Sequence, residues 1–131
     1  MKKVILCILV FCMIISGCSN TNNSEKEADT MKISTVTVSE VKEISDNYKE
    51  EDKVRILDVR TQEEFAEGHI KNALNIPLDE ISEVSFEKDL ELIVYCRSGA
   101  RSEQAALILK DLGYTVKDMG GLNNWNYDLE K

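Results

Sequence analysis

The run Leu92-Ile93-Val94-Tyr95, followed by Cys96-Arg97-Ser98-Gly99-Ala100-Arg101 and then by Ser102-Glu103-Gln104-Ala105-Ala106-Leu107-Ile108-Leu109, constrains this chain more than any other stretch. Four consecutive apolar residues, mostly β-branched or aromatic, read as a strand buried on both faces, and the run after the polar loop reads as a helix. The pattern recurs along the chain. Ile33-Ser34-Thr35-Val36-Thr37-Val38 reads as a first strand, and Ser39 as the cap of a helix from Glu40 to about Lys49, with Val41, Ile44 and Tyr48 on one face. Val54-Arg55-Ile56-Leu57-Asp58-Val59-Arg60 reads as a second strand, and Thr61-Gln62-Glu63-Glu64 as a capping box opening a short helix that ends near Gly68. Gly68-His69-Ile70 gives a turn, Ala73-Leu74-Asn75-Ile76-Pro77 a short strand, and Asp79 to Glu83 a helical turn. Gly113 reads as a helix C-cap, Tyr114-Thr115-Val116 as a last strand, Gly120-Gly121 as a loop, and Leu122, Trp125 and Leu129 as one face of a short terminal helix. Strands alternating with helices predict an α/β, three-layer fold: a central, mostly parallel sheet with helices on both faces.

In such a sheet the binding crevice lies at the carboxyl ends of the strands. Cys96 and Asp58 both fall at such ends, which predicts a shared site. A cysteine between a strand and the start of a helix meets unpaired backbone N–H groups and a partial positive charge, and a tight loop turns successive amides inward as an anion nest. Arg97 and Arg101 add two full charges, and neighbours of this kind lower a thiol pKa. Cys96 is therefore expected to be a thiolate at neutral pH.

Composition narrows the partners. The 131 residues allow one domain with a modest core. The formal charge is −8, and the first seventeen residues hold Lys2 and Lys3 but no acid, so the remainder is more acidic still. Such a surface repels nucleic acid, so none is expected as a partner. It repels anionic substrates at long range too, which makes the local pair Arg97 and Arg101 more telling. One histidine and one globular thiol fall short of an ordinary metal ligand set, so neither metal nor organic cofactor is expected.

Residues 1–17 have the parts of a secretory signal: Lys2 and Lys3, an apolar run over residues 4–15, then Ser16 and Gly17. The run is short of the ~20 apolar residues that span a bilayer. Ile15-Ser16-Gly17-Cys18 resembles the lipobox of bacterial lipoproteins, which implies lipidation at Cys18 and an extracytoplasmic protein anchored to a bacterial membrane. Residues 18–30 then form a lipidated cysteine and a polar, disordered tether, and residues 31–131 the folded domain. Cys7 and Cys12 lie in the leader, which leaves Cys96 as the single globular thiol.

Cys96-Arg97-Ser98-Gly99-Ala100-Arg101-Ser102 resembles the active-site loop of single-domain members of the rhodanese family, the thiosulfate sulfurtransferases. The resemblance extends over Asp58-Val59-Arg60, Glu64-Phe65, Gly68-His69-Ile70, Ala73-Leu74-Asn75-Ile76-Pro77 and Gly120-Gly121-Leu122 through Trp125. Lys71-Asn72 departs from the usual Pro-Gly, with only a local change expected. The resemblance implies Cys96 as nucleophile, with Arg97, Ser98, Gly99, Ala100 and Arg101 binding the substrate. It also implies a small-molecule sulfur donor, a thiol or cyanide acceptor, and a monomer. Related phosphatases and arsenate reductases have one more residue before the arginine, so the six-residue loop favours a single extra sulfur over a tetrahedral oxyanion. A membrane-tethered sulfur carrier or binding module with little turnover is the alternative reading, and a phosphatase or arsenate reductase the more distant one.

Asp58 and Arg60 are expected as supports, with Asp58 a fixed partner for either Arg60 or Arg101 that orients the loop. Arg97 faces either the pocket mouth or solvent. His69 sits in a structural turn, and a thiolate formed by its own loop needs no base. Trp125 reads as core or pocket wall.

Overall fold

In the computed structural model, which describes residues 32–131, five strands pair in parallel in one sheet. These are β1 (Ser34–Thr35), β2 (Val54–Asp58), β3 (Leu74–Asn75), β4 (Glu91–Cys96) and β5 (Thr115–Gly121), in the spatial order β1-β5-β4-β2-β3. Helices α1 (Val38–Asn47), α2 (Gln62–Glu67) and α3 (Ala100–Asp111) and two 3-10 turns, Leu78–Glu83 and Leu122–Asn124, make the connections. The parallel α/β arrangement expected from the alternation is the one found.

Side-chain parity along β4 explains why an all-apolar strand is central. Leu92, Val94 and Cys96 point with Leu57 and Val59 into a core closed by Ala105, Ala106 and Leu109 of α3 and by Ile81. Ile93 and Tyr95 point the other way with Ile56, against Val41 of α1 and Ile70. Leu92, Ile93, Val94 and Tyr95 all have zero exposure, and each apolar side chain so buried contributes about 1.5–3 kcal/mol.

Several boundaries differ from the sequence expectation for local reasons. α1 is capped by Thr37 and not by Ser39: Thr37 Oγ1 accepts from the Glu40 amide at 3.3 Å, and Glu40 Oε2 accepts from the Thr37 amide at 2.8 Å. Ser39 has Lys42 three residues on, so it lacks the carboxylate that closes a reciprocal box. That cap leaves β1 only two residues. β2 ends at Asp58, because the Asp58 carboxylate takes the Arg60 amide at 3.0 Å. The box at Thr61 and Glu64 forms as expected.

Asn72 adopts the left-handed conformation at φ 63° and its Nδ2 donates to the Ser45 carbonyl at 2.9 Å, so the Lys71-Asn72 turn is accommodated locally. β5 runs through Gly120 and Gly121, which had read as a loop. The terminal helix does not form beyond the turn at Leu122–Asn124. Asn123, Asn124, Asn126 and Asp128 compete with helical hydrogen bonding, and the chain end instead pairs Glu130 with His69 through two backbone bonds of 2.9 Å. The leader, the Cys18 lipidation site and the tether lie outside the described residues.

Candidate active site

Cys96 is the last residue of β4, and its parity aims Sγ at the start of α3. The next three residues turn back over it. Gly99, the N-cap of α3, has φ 107°, a conformation that admits little but glycine, and it directs its amide onto Cys96 Sγ at 3.0 Å. The helix thus begins at Ala100, two residues earlier than the sequence pattern placed it.

The end of β5 supports this loop from beneath. The Asn123 amide donates to the Arg97 carbonyl at 3.2 Å. At Gly121 a Cβ would lie 2.5 Å from that carbonyl oxygen and 2.7 Å from Ser98 Cα, so only hydrogen fits. Ser102, fully buried in the first turn of α3, donates its hydroxyl to the Gly99 carbonyl at 3.0 Å and lies near the Gly120 carbonyl at 3.4 Å.

These contacts set the charge on the sulfur. Burial pushes the Cys96 thiol up, but hydrogen bonding from the Ser102 and Gly99 amides, the Ser102 hydroxyl and the Ser98 amide outweighs it and holds the pKa below the ordinary thiol value. The sequence reading had assigned part of this effect to Arg97 and Arg101. Arg101 and the Cys96 thiolate favour each other's charge, but the hydrogen bonds of Arg101 and the ion pair of Arg97 go to Glu64. Arg101 forms a two-pronged pair with Glu64, Nη1 to Oε2 at 2.7 Å and Nη2 to Oε1 at 2.9 Å. Arg97 Nε lies 3.5 Å from Glu64 Oε1 with its side chain 65% exposed, which places it at the mouth of the site. Glu64 is brought there by the capping box of α2, where its Oε2 also accepts from the Thr61 amide at 3.1 Å. The Arg101 hydrogen bonds, followed by the Thr61 amide and the charges of Arg101 and Arg97, overcome a burial penalty and bring the Glu64 carboxyl down to about 2.

Cys96, Arg97, Ser98, Gly99, Ala100 and Arg101 are therefore gathered at one strand end, as expected. Asp58 and Arg60 are not part of that cluster. Asp58 pairs in register with Tyr95, and it shares the parity of Ile56, so its carboxylate faces the side of the sheet opposite to Cys96. There it grips Arg60 through Nε at 3.0 Å and Nη2 at 2.6 Å, and Arg60 Nη2 also donates to the Gly68 carbonyl at 2.7 Å. Of the two partners left open for Asp58, Arg60 is the one found. The pair fixes the end of α2 through the Gly68 carbonyl.

His69 stacks on Phe65 with ring centroids 3.7 Å apart, and its Nδ1 hydrogen-bonds the Phe65 carbonyl at 3.0 Å, a structural role. Three residues escaped the sequence reading as site residues. Glu64 was read as a cap, Ser102 as the start of a helix and Gly121 as a loop glycine, and the family resemblance spanned all three without giving them a role in the site. Among the described residues no three His, Cys, Asp or Glu side chains converge on a possible metal position.

A buried thiol hydrogen-bonded by the amide of a left-handed glycine stands at the carboxyl end of a parallel α/β sheet. Residues 37–128 match the rhodanese-like domain, and the chain belongs to that family. It is 40% identical over 73 residues to the thiosulfate sulfurtransferase PspE of Escherichia coli, covering 52% of this chain and 70% of that one. It is 36% identical over 94 residues to the putative sulfurtransferase YtwF of Bacillus subtilis, covering 66% and 91% of the two chains. The fold matches the crystal structure of a rhodanese-like domain protein from Staphylococcus aureus with a TM-score of 0.65 at 34% identity, over 75% of this chain and 97% of that one. Relatives of this kind support sulfur transfer as the chemistry of the domain.

Proposed function

We propose that the protein moves sulfane sulfur from thiosulfate or a similar donor to a thiophilic acceptor through a persulfide on Cys96. The observation that carries this reading is the 3.0 Å bond from the Gly99 amide to Cys96 Sγ inside a six-residue loop. The Cys96 thiolate attacks the outer sulfur of thiosulfate, the S–S bond to the sulfonate breaks, and sulfite leaves with the bonding electron pair. The loop amides that favoured the thiolate then stand around the transferred sulfur and favour its negative charge, with no rearrangement required. Cyanide or a thiol removes that sulfur and restores the thiolate.

Arg97, at the mouth, is the residue placed to meet an incoming anion. Ser98, Gly99 and Ala100 contribute backbone, and Arg101 holds the loop shape through Glu64. Intact mass of the protein after exposure to thiosulfate is expected to rise by one sulfur atom and to fall back on adding cyanide. Cys96→Ser is expected to abolish both changes, and full turnover by that variant would end the proposal.

The leader supports a second element of the reading, a lipid anchor at Cys18 that holds a monomeric domain on the outer side of a bacterial membrane. Cells fed an alkyne fatty acid are expected to label the protein, and Cys18→Ser is expected to remove the label.

A further inference from the structure

We infer that the cleft between α1 and the chain end binds a saccharide, as a second site on the sheet face opposite to Cys96 and independent of sulfur transfer. A cavity of about 390 Å³, within the size range of small-molecule sites, opens between Lys42 and Asp46 of α1, Lys71, and residues 125–130. Its inner wall is aromatic. The Trp125 and Tyr127 rings meet at 73° with centroids 5.3 Å apart and form a corner. Trp125 packs on the core cluster that holds Val41, Ile70 and Ile93, whereas Cys96 belongs to the cluster on the other side of the sheet. Tyr127 is 40% exposed and Leu129 41%, so apolar surface is held open to solvent inside a concavity.

The corner is fixed before any ligand arrives. The Trp125 amide donates to the Leu122 carbonyl at 2.9 Å and Trp125 Nε1 to the Asp128 carbonyl at 3.4 Å, while Glu130 and His69 exchange two backbone bonds of 2.9 Å. Lys42 pairs with Asp46 and stands with its Nζ 5.4 Å from the Tyr127 ring centroid, which orients that ring. Little ordering is left to oppose binding.

The rim selects the ligand. Among the described residues Lys71, Asp128 and Glu130 have no ion-pair partner, and together with Lys42 and Asp46 they set both signs of charge around one opening. A strongly charged ligand of either sign meets like charge there. A flat aromatic ring would cover the corner and leave most of the rim unpaired. A pyranose answers both features: its C–H face stacks on an aromatic ring, and its hydroxyls, each donor and acceptor, pair with ammonium and carboxylate alike.

Trp125 is the single tryptophan of the chain, so its fluorescence reads this cavity directly. The protein is titrated with cellobiose, chitobiose and maltose, and with glycerol and adenosine as rivals. At least one disaccharide is expected to give a saturable emission change with a Kd in the millimolar range, and the rivals none. Tyr127→Ala is expected to weaken that binding by about tenfold. Asp128→Ala, whose backbone carbonyl still receives Trp125, is expected to weaken it severalfold, and both variants should load sulfur on Cys96 as the wild type does. The inference is overturned if no disaccharide saturates the signal below about 50 mM. It is equally overturned if glycerol or adenosine binds as well as the disaccharide, or if either variant, once shown to be folded, binds like the wild type. Loss of sulfur loading in the wild type would instead strike the sulfur-transfer reading and leave this site standing.

Discussion

Cys96 shows how a few ångströms decide reactivity. It lies 1% exposed in an apolar core that by itself would keep the thiol protonated. The Ser102 and Gly99 amides and the Ser102 hydroxyl outweigh that burial and bring the pKa below the ordinary thiol value. The hydroxyl has a single proton, directed at the Gly99 carbonyl, and ionisation of the sulfur offers it a stronger acceptor. Ser102→Ala removes this donor, so the midpoint of cysteine alkylation against pH is expected to move up and sulfur loading at neutral pH to slow by about tenfold. Alkylation rates with iodoacetamide across pH, for both proteins, measure the shift. An unchanged midpoint would mean the amides suffice.

Glu64 is shifted in the same direction. Its carboxyl is held at about 2 against an ordinary 4.5, a lowered value in the fold. Its contribution to stability is thus fully present above pH 4.5 and is lost as pH falls toward 2. Glu64→Gln keeps some hydrogen bonding but loses the charge. It is expected to cost about 2 kcal/mol at pH 7, with the gap to the wild type closing below pH 3, as denaturant titrations at several pH values would show. The sequence revealed the capping role of this residue through the spacing Thr61 to Glu64. It could not reveal the pairing with Arg101, 37 positions away, because that contact exists only once α2 and α3 meet across the strand ends.

At the scale of elements, the site is a strand end, a loop and a helix start resting on a neighbouring strand. The strand, the loop and the helix were legible because apolar run, glycine and helical spacing follow one another directly. The neighbour was not. Gly120 and Gly121 read as a loop because glycine weakens strands, yet β5 needs Gly120 for its φ of 89° and Gly121 where the cysteine loop crosses it. Gly121→Ala places a methyl 2.5 Å from the Arg97 carbonyl oxygen and 2.7 Å from Ser98 Cα. Two backbone segments then compete for one space, and the loop must lift from the strand. Stability is expected to fall by about 1–3 kcal/mol. Sulfur loading is expected to fall by on the order of a hundredfold, since the amide on Cys96 moves with the loop. Thermal unfolding and donor kinetics on the same preparation separate the two effects, and normal loading at reduced stability would show that the loop has slack.

For the whole molecule, the two faces of the sheet divide the labour. The α/β class could be read from the alternation of strands and helices, but which face each polar residue occupies depends on register between strands, and packing alone sets that. Asp58 and Cys96 both end parallel strands, so sequence position united them. Pairing of Asp58 with Tyr95 places them on opposite faces. The Asp58–Arg60 pair is consequently a support: Asp58 has zero exposure, the Arg60 side chain 5%, and the guanidinium reaches on to the Gly68 carbonyl. Asp58→Ala strands a buried cation, which costs about 3–5 kcal/mol. The melting temperature is expected to drop by on the order of 15 °C. Replacing Asp58 and Arg60 together with leucine removes the stranded charge and is expected to recover part of that loss. Because the pair touches neither the sulfur nor its amides, the folded fraction of Asp58→Ala should load sulfur at close to the wild-type rate. A large fall in loading per folded molecule, measured by intact mass below the unfolding transition, would instead place the pair within the chemistry and require the two faces of the sheet to act together.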